Sequence, residues 1–411
     1  MGVASAAAVF GASAIACGGD DDDDDAPGAT NTTAPGETPE PTPAESVTRG
    51  GELIVRRPSA TTFADPHRSS SGYDPTVNHL YAAPLLSFTG GEIAASLVEE
   101  WEQPDPQQLT LTLRSGLTFT DGTPVNAEAI KYALERQADP ATASPRRSLL
   151  NGVTVEAVDD LTARLTFETP NPAFIESLTM NSPAGLGALI SPTAHASMGD
   201  DAFNEAPVSV GPFMIESLAL DADSVFVANP DWPITAPNGD KIPYLDKVII
   251  RVIPQTAVSV AELQSGGIHV DYVFLGENVG QVQAQDDLDV LANPGAITQR
   301  IGIHLSKAPT DIVAFRKALQ HAFDREEFAI TFTNGLGSGG RGPLTSLTWA
   351  YDESAPYYEY DEDTAREFLS QAGLADGTIL NIATYTSGVY PRIGELIQSQ
   401  LRRLGVDLTV D

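Results

Sequence analysis

The stretch that most constrains the fold is residues 113–136, LRSGLTFTDGTPVNAEAIKYALER. Leucines alternate with threonines up to its start, which is the period of a half-buried strand. Asp121-Gly122 predicts a tight turn, because glycine accepts positive φ and aspartate bonds its own backbone. Asn126 is placed to cap a following helix, with Glu128 in the first turn. The stretch therefore predicts one fold element, a strand, a tight turn and a helix in this order.

This stretch also resembles the signature of the extracytoplasmic solute-binding proteins of ABC importers, family 5, whose members bind peptides, nickel or oligosaccharides. Shorter passages match the family in the same order, with single departures such as Ala64 for a usual leucine and Val210 for a usual threonine. These passages are residues 62–67, 208–213, 229–232, 315–325 and 360–373. The resemblance implies an α/β, periplasmic-binding-protein-like fold, with two lobes and an extra inserted domain (class II, cluster C), no cofactor and no catalysis.

Charge excludes some classes of function. The chain carries 56 acidic and 23 basic residues, for a net charge of -33. A phosphate backbone needs basic patches, so we expect no nucleic-acid partner. A preference for cationic ligands stays open. The single cysteine, Cys17, excludes an intrachain disulfide and a cysteine-based zinc site.

The N-terminus has the pattern of a lipoprotein leader. Residues 2–16 are small and apolar, too short to span a membrane, and end at Cys17. The residues around Cys17 resemble a lipobox, which implies lipidation of this cysteine and a membrane anchor. No Lys or Arg precedes the apolar run, so we expect that translation starts upstream of Met1 and that a basic segment precedes this sequence. Residues 18–48 are rich in Asp, Pro, Thr and Gly and predict a disordered tether.

The resemblance also implies a domain order. The predicted segments are a signal peptide (1–17), the tether (18–48), a first part of lobe I (49–84), an inserted domain II (85–205), a second part of lobe I (206–300) and an incomplete lobe III (301–411). Because the chain stops within a predicted strand, and relatives continue further, we expect a C-terminally incomplete protein. The family's acidic anchor for a peptide amino group would then lie beyond residue 411.

Candidate ligand-binding residues follow from the same resemblance. The loop predicted over 68–75 faces the ligand in relatives, which makes Ser70, Ser71 and Tyr73 candidates. Trp349 and Tyr390 are candidates in the third lobe. The implied partners are a small peptide or other small solute and the transmembrane subunits of a permease, with this chain as a monomer.

Two other ligand classes and one other function stay open. An oligosaccharide site would use aromatic platforms, for which the candidates are Tyr73, Trp349, Tyr357, Tyr358 and Tyr390. A nickel chelate could engage histidine, and His67 and His79 are near enough in sequence to meet. A secreted hydrolase is disfavoured, because the chain has neither a G-x-S-x-G elbow nor an H-E-x-x-H motif.

Local patterns predict further elements. In the first half of the chain we expect a helix near 77–83, a strand pair around the Asp159-Asp160 turn and a helix from about residue 173. A strand is expected over 300–304, followed by a helix with an apolar stripe through Phe315, Leu319, Ala322 and Phe323. The last expected elements are a helix capped by Asp361 and ended by Gly373, and a second helical stripe from Ile393 to Leu404 followed by a strand.

Overall fold

The structure is a computed structural model that describes most of the chain from Val47 onwards. The described residues are 47–69, 74–89, 91–179, 185–271, 276–292, 298–346, 348, 350–374, 378–384 and 390–410. The chain divides into two units, residues 1–47 and 48–411, and the first lies almost entirely outside the described residues. The predicted leader, Cys17 and most of the tether therefore lie outside them too.

The described residues form thirteen strands. They are β1 (Glu52–Arg57), β2 (Leu86–Thr89), β3 (Glu92–Ala95), β4 (Val98–Asp105), β5 (Gln108–Leu113), β6 (Val153–Ala157), β7 (Thr162–Phe167), β8 (Phe213–Ser217), β9 (Ser224–Ala228), β10 (Lys247–Val252), β11 (Val270–Asp271), β12 (Thr378–Ile382) and β13 (Val406–Val410).

Nine α-helices accompany these strands within the described residues. They are α1 (Asp74–Tyr81), α2 (Ala127–Ala138), α3 (Pro192–Glu205), α4 (Thr256–Gln264), α5 (Gly276–Gln283), α6 (Val313–Ala322), α7 (Arg325–Thr333), α8 (Glu362–Gln371) and α9 (Tyr390–Arg402).

A five-stranded mixed sheet joins distant parts of the chain, in the order β11-β1-β10-β9-β8. Strand β1 is parallel to both neighbours, with Val55 opposite Ile250 on one side and Val270 on the other. Strands β9 and β8 extend the sheet antiparallel. An early strand therefore lies between two strands that follow it by about two hundred residues in sequence.

A separate antiparallel sheet, in the order β4-β5-β7-β6, is built only from the intervening residues. Its strand β5 alternates buried leucines with half-buried polar residues, as predicted, and the strand pair around Asp159-Asp160 is confirmed as β6 and β7. Helix α2 packs on this sheet through Ile130, Ala133 and Leu134, all buried in one apolar cluster with the β5 leucines.

The details of the signature stretch are confirmed. Asn126 Oδ1 accepts a hydrogen bond from Ala129 N at 3.1 Å and caps α2. Gly122 has φ of +81°, and Asp121 Oδ1 accepts from Thr123 N at 2.9 Å in the predicted turn. Asp121 Oδ2 also accepts from Ser191 Oγ at 2.6 Å, so the turn is tied to the start of α3.

Gly211 has a role different from the bend that its Gly-Pro-Phe context suggests. The φ angle of Gly211 is not positive. Instead, its backbone packs closely against the end of α1. A Cβ at this position would stand 2.5 Å from the carbonyl carbon of Tyr81. Glycine is needed here for close backbone approach.

The third region of the chain, from α6 to β13, has its own apolar cluster. Phe315, Ala318 and Ala322 of α6 pack with Ala365 and Leu369 of α8 and with α9. Asp361 caps α8 by accepting from Thr364 N at 2.9 Å, and Gly373 follows the helix with φ of +74°, as predicted. Strands β12 and β13 pair in parallel, with α9 as the crossover between them.

Some sequence predictions were wrong or incomplete. The predicted strand over 300–304 is not a strand, and it pairs with no other strand within the described residues; Ile301 is exposed. The helix expected from residue 173 is a 3₁₀ helix, Pro172–Leu178. Helix α1 begins at Asp74, inside the loop predicted over 68–75. Helix α3 was not predicted, although Ser191 caps it and Pro192 occupies its first position.

In the part of the chain that the structure describes, none of the helices combines the length and the apolar character needed to cross a bilayer.

Candidate functional site

Most of the predicted ligand-binding residues lie outside the described residues. This holds for Ser70, Ser71, Tyr73 and Trp349. Tyr390 is described: it is the first residue of α9 and is 36 % exposed, so its ring is accessible to solvent. The placement of these residues relative to a ligand therefore stays a prediction.

The described residues beside 70–73 belong to a set of charged and polar groups, here called the polar framework, which is buried except for Asp200 at its outer end. It consists of Asp65, His67, Arg136, Arg146 and Asp200. Asp65 and His67 follow β1 in the chain, whereas the other three residues belong to the region of α2 and α3. The framework joins the segment before 70–73 to elements that come much later in the sequence.

The centre of the polar framework is an ion pair between Arg136 and Asp65. Arg136 Nη2 lies 2.7 Å from Asp65 Oδ2, and Nη1 lies 3.2 Å from Oδ1, so the contact is bidentate. The Asp65 side chain is completely buried and that of Arg136 is 6 % exposed. Asp65 Oδ1 also accepts from His67 N at 3.0 Å. Such extensive hydrogen bonding is what a buried carboxylate requires.

Arg136 continues to a second carboxylate nearer the surface. Its Nη2 lies 2.7 Å from Asp200 Oδ1, which also accepts from His195 Nε2 at 2.8 Å. His195 Nδ1 lies 2.7 Å from the hydroxyl of Tyr132. Hydrogen bonds from Arg136 and His195 hold the pKa of Asp200 below its usual value. Burial lowers the pKa of Arg136, but the two carboxylates raise it by more, so Arg136 is a permanent cation.

His67 is a neutral imidazole with both ring nitrogens occupied. Arg136 Nη1, which can only donate, lies 3.1 Å from His67 Nδ1, and Ala188 O, which can only accept, lies 3.0 Å from Nε2. The proton is therefore on Nε2. Burial lowers the pKa of His67 from 6.5 to about 4, although the charge of Asp65 acts in the opposite direction. With both nitrogens engaged, His67 is not available as a nickel ligand in this arrangement.

Arg146 binds the main chain just before residue 70. Its Nη1 donates to Pro66 O at 3.2 Å and to His67 O at 3.5 Å, and its Nη2 donates to Ser69 O at 3.1 Å. Ser69 Oγ in turn donates to Asp74 Oδ2 at 2.9 Å, across residues 70–73. Both ends of the predicted ligand loop are thus held by buried side chains.

Sequence reasoning missed the polar framework because its partners are far apart in the chain; Asp65 and Arg136 are separated by 71 residues. One signal was present. Arg136 follows Ala129 and Ala133 by seven and three residues, so it lies on the apolar face of α2. A cation on a buried helix face needs an anionic partner.

A second buried ion pair lies at the carboxyl ends of the parallel strands. Arg56 of β1 and Asp271 of β11 are 3.2 Å apart, and both side chains are 1 % exposed. Arg56 Nε also donates to Ile253 O at 2.8 Å, just after β10. In open α/β sheets, ligands bind outside this edge of the sheet.

Two of the aromatic candidates for sugar binding have other contacts. The ring of Tyr357 lies 5.2 Å from the Arg325 guanidinium and 4.9 Å from that of Arg341. Tyr358 meets His321 edge to face at 5.4 Å. Within the described residues, no cluster of three or more His, Cys, Asp or Glu side chains is placed to hold a metal ion.

Two curated proteins show what this chain is similar to. The chain is 26 % identical over 366 residues to the glutathione-binding protein of Pectobacterium atrosepticum, covering 87 % of this chain and 68 % of the relative. It is 26 % identical over 387 residues to the di/tripeptide-binding protein 2 of Pseudomonas aeruginosa, covering 87 % and 71 %. About a third of each relative's length therefore has no counterpart here.

A solved structure shares the fold. It is the ABC transporter-associated periplasmic binding protein DppA from Helicobacter pylori in complex with the peptide STSA, with a TM-score of 0.79 and 24 % identity, covering 89 % of this chain and 74 % of that one. The predicted periplasmic-binding-protein-like fold class is thereby confirmed.

The profile described as bacterial extracellular solute-binding proteins, family 5 Middle, matches residues 92–411. This range contains the signature stretch, the four-stranded sheet and the third region with its own core. The match covers more than half of the chain and agrees with the resemblance of the signature stretch. This chain belongs to the bacterial extracellular solute-binding proteins of family 5.

Proposed function

We propose that this protein is the receptor of an ABC importer, which captures di- or oligopeptides outside the membrane and delivers them to the permease by lobe closure. The observation that carries the proposal is the family match over residues 92–411. The choice of peptides is supported by the two curated relatives, whose names specify glutathione and di- or tripeptides.

Binding, without chemical change of the solute, is the proposed activity. A receptor of this kind signals only if the solute favours the closed state over the open one. Backbone hydrogen bonds in a largely apolar cleft would provide affinity that tolerates different side chains. The proposed contacts are Ser70, Ser71, Tyr73, Trp349 and Tyr390.

We further propose the domain order predicted from the sequence, with residues 85–205 inserted between the two parts of lobe I. The sheets support this order, because β1 pairs with β10 and β11, while β4 to β7 form a sheet of their own. The boundaries at 84, 205 and 300 are part of the proposal, as is a monomeric state.

Membrane attachment through a lipid on Cys17 is also proposed, with residues 18–48 as the tether. Expression of wild type and Cys17→Ser, followed by separation of membrane and soluble fractions, tests it. Wild type should sediment with membranes and incorporate labelled fatty acid, whereas Cys17→Ser should be soluble and unlabelled. Equal membrane association of the two would contradict the anchor.

The ligand class is tested by thermal unfolding of the full-length protein without its leader, in the presence of tri-alanine, glutathione, maltotriose or nickel–histidine. A ligand at about a hundred times its dissociation constant should add about 2.7 kcal/mol to the free energy of unfolding. Stabilisation by the peptides supports the proposal. Stabilisation by maltotriose alone or nickel–histidine alone would replace it with the corresponding ligand class.

A matched pair of tyrosines tests the predicted contact at Tyr390. Tyr390 and Tyr360 are 36 % and 37 % exposed, so the two substitutions to alanine remove rings of similar burial. Tyr390→Ala should weaken peptide binding, while Tyr360→Ala should leave it unchanged. An equal effect of the two substitutions would remove Tyr390 from the site.

A further inference from the structure

Arg146 is buried and binds main-chain carbonyls, unlike an arginine on the protein surface. It is 8 % exposed, and its two terminal nitrogens donate to three main-chain carbonyls, those of Pro66, His67 and Ser69. Burial lowers its pKa, so the protein tolerates a partly desolvated cation at this position. The guanidinium is planar and rigid, and its fork determines the spacing of the carbonyls that it binds.

The carbonyls belong to a segment that is held from several directions. Asp65 is bound at its side chain by Arg136, and its N–H donates to Asn204 Oδ1 at 3.1 Å. Ser69 is bound at its carbonyl by Arg146 and at its hydroxyl by Asp74. Arg136, Arg146 and Asn204 all come from residues 85–205, the proposed inserted domain. That domain therefore fixes the path of the chain up to Ser69.

We propose that Arg146 is a positioning residue for solute binding: by holding the carbonyls of Pro66, His67 and Ser69, it pre-organises the chain that leads into the proposed solute contacts. The inference rests on the proposed function and assigns the inserted domain a part in it. If the backbone is already ordered in the free protein, binding loses less conformational entropy and the affinity is higher.

The test compares Arg146→Lys with three controls. Lysine keeps the charge but has a single nitrogen, which cannot reproduce the fork between the Pro66 and Ser69 carbonyls. Arg147→Lys alters the neighbouring arginine, which donates to Ala138 O at 3.2 Å and, within the described residues, makes no hydrogen bond to the 65–69 segment. Ile130→Val and Ile130→Ala lower stability from the core of α2 and bracket the Tm loss of Arg146→Lys.

Two quantities are measured well below Tm, where every variant is folded. The first is the Kd for tri-alanine, or for glutathione where that binds more tightly, by titration calorimetry. The second is amide hydrogen exchange in residues 61–69 of the ligand-free protein. Arg146→Lys should weaken binding by about tenfold or more, which corresponds to about 1.4 kcal/mol, and should accelerate exchange in that segment. The three controls should leave both quantities within twofold of wild type.

The outcomes separate this inference from the proposed function. Unchanged Kd in Arg146→Lys, with wild type binding the peptide, overturns the positioning role and leaves the function standing. An equal loss of affinity in an Ile130 variant of the same Tm also overturns it, because the effect would then follow general stability. Failure of wild type to bind any peptide removes the proposed function and this inference together.

Discussion

Arg136 and Asp65 form a bidentate ion pair, with oxygen–nitrogen distances of 2.7 Å and 3.2 Å, that joins helix α2 to the segment after β1. Because the Asp65 side chain is completely buried, its charge is stabilised by this arginine and by the main-chain N–H of His67, with no access to solvent. Breaking this buried pair should therefore lower the stability of the protein more than breaking one of its exposed ion pairs.

Arg136→Ala should lower the free energy of unfolding by roughly 3–5 kcal/mol, since it leaves the Asp65 carboxylate buried and without its cation. Urea unfolding measures the loss. Arg164→Ala is the control: its pair with Glu156 is 3.6 Å long and the side chains are 39 % and 66 % exposed, so the loss should stay below about 1 kcal/mol. Similar losses in the two variants would show that burial of Asp65 is not decisive.

The buried His67 predicts a pH dependence of stability. Its pKa is about 4 in the folded protein and about 6.5 when unfolded, so the unfolded chain takes up the proton first. Stability from this residue is complete above pH 6.5 and is lost as the pH falls toward 4. Between pH 7.5 and 5 the loss should be about 2 kcal/mol.

The measurement for His67 is the free energy of unfolding at pH 7.5 and pH 5, for wild type and His67→Gln. Glutamine can still donate to Ala188 O and accept from Arg136, but it does not titrate. Between pH 7.5 and pH 5, His67→Gln should therefore lose about 2 kcal/mol less of its free energy of unfolding than wild type does. If wild type and variant lose the same stability, His67 does not stay neutral on folding.

Gly211→Ala should destabilise the protein by roughly 1–3 kcal/mol or more, because the new Cβ would overlap the backbone of Tyr81 and force two packed segments apart. Gly280→Ala is the matched control. That glycine lies within α5 with nothing within 4 Å of an added Cβ, so alanine should be neutral or stabilise by up to about 1 kcal/mol. Thermal unfolding compares the two, and a harmless Gly211→Ala would contradict the close approach.

Asn126→Ala should cost about 1 kcal/mol, because the N–H of Ala129 loses its acceptor at the start of α2. Asn126→Asp and Asn126→Ser keep an acceptor oxygen and should stay close to wild type. Urea unfolding of the three variants is the measurement. Should all three behave alike, the cap contributes nothing and packing alone holds the helix end.

Sequence patterns predicted the elements whose signals are local. The Asn126 and Asp361 caps each bond a residue three positions on, and the Asp121 turn closes within two, so the interacting groups can be read side by side in the sequence. Helix α3 was missed although Ser191-Pro192 carries both a cap and a first-position proline.

The wrong strand at 300–304 shows the limit of such patterns. An apolar, alternating segment is compatible with a strand, but a strand exists only where another backbone pairs with it, and this segment has no such partner within the described residues. Pairing is a property of distant segments, so the local pattern was insufficient.

By itself, the sequence determined the fold class, the family and the caps, turns and apolar faces of individual elements, because these depend on residues close together in the chain. Only the tertiary structure decided which buried charges meet. Arg146 is 77 residues from Ser69, and Arg136 is 71 from Asp65, and no spacing rule connects them. Burial makes each charge require a partner, and the packing of α2 and α3 against the segment after β1 determines which one it finds.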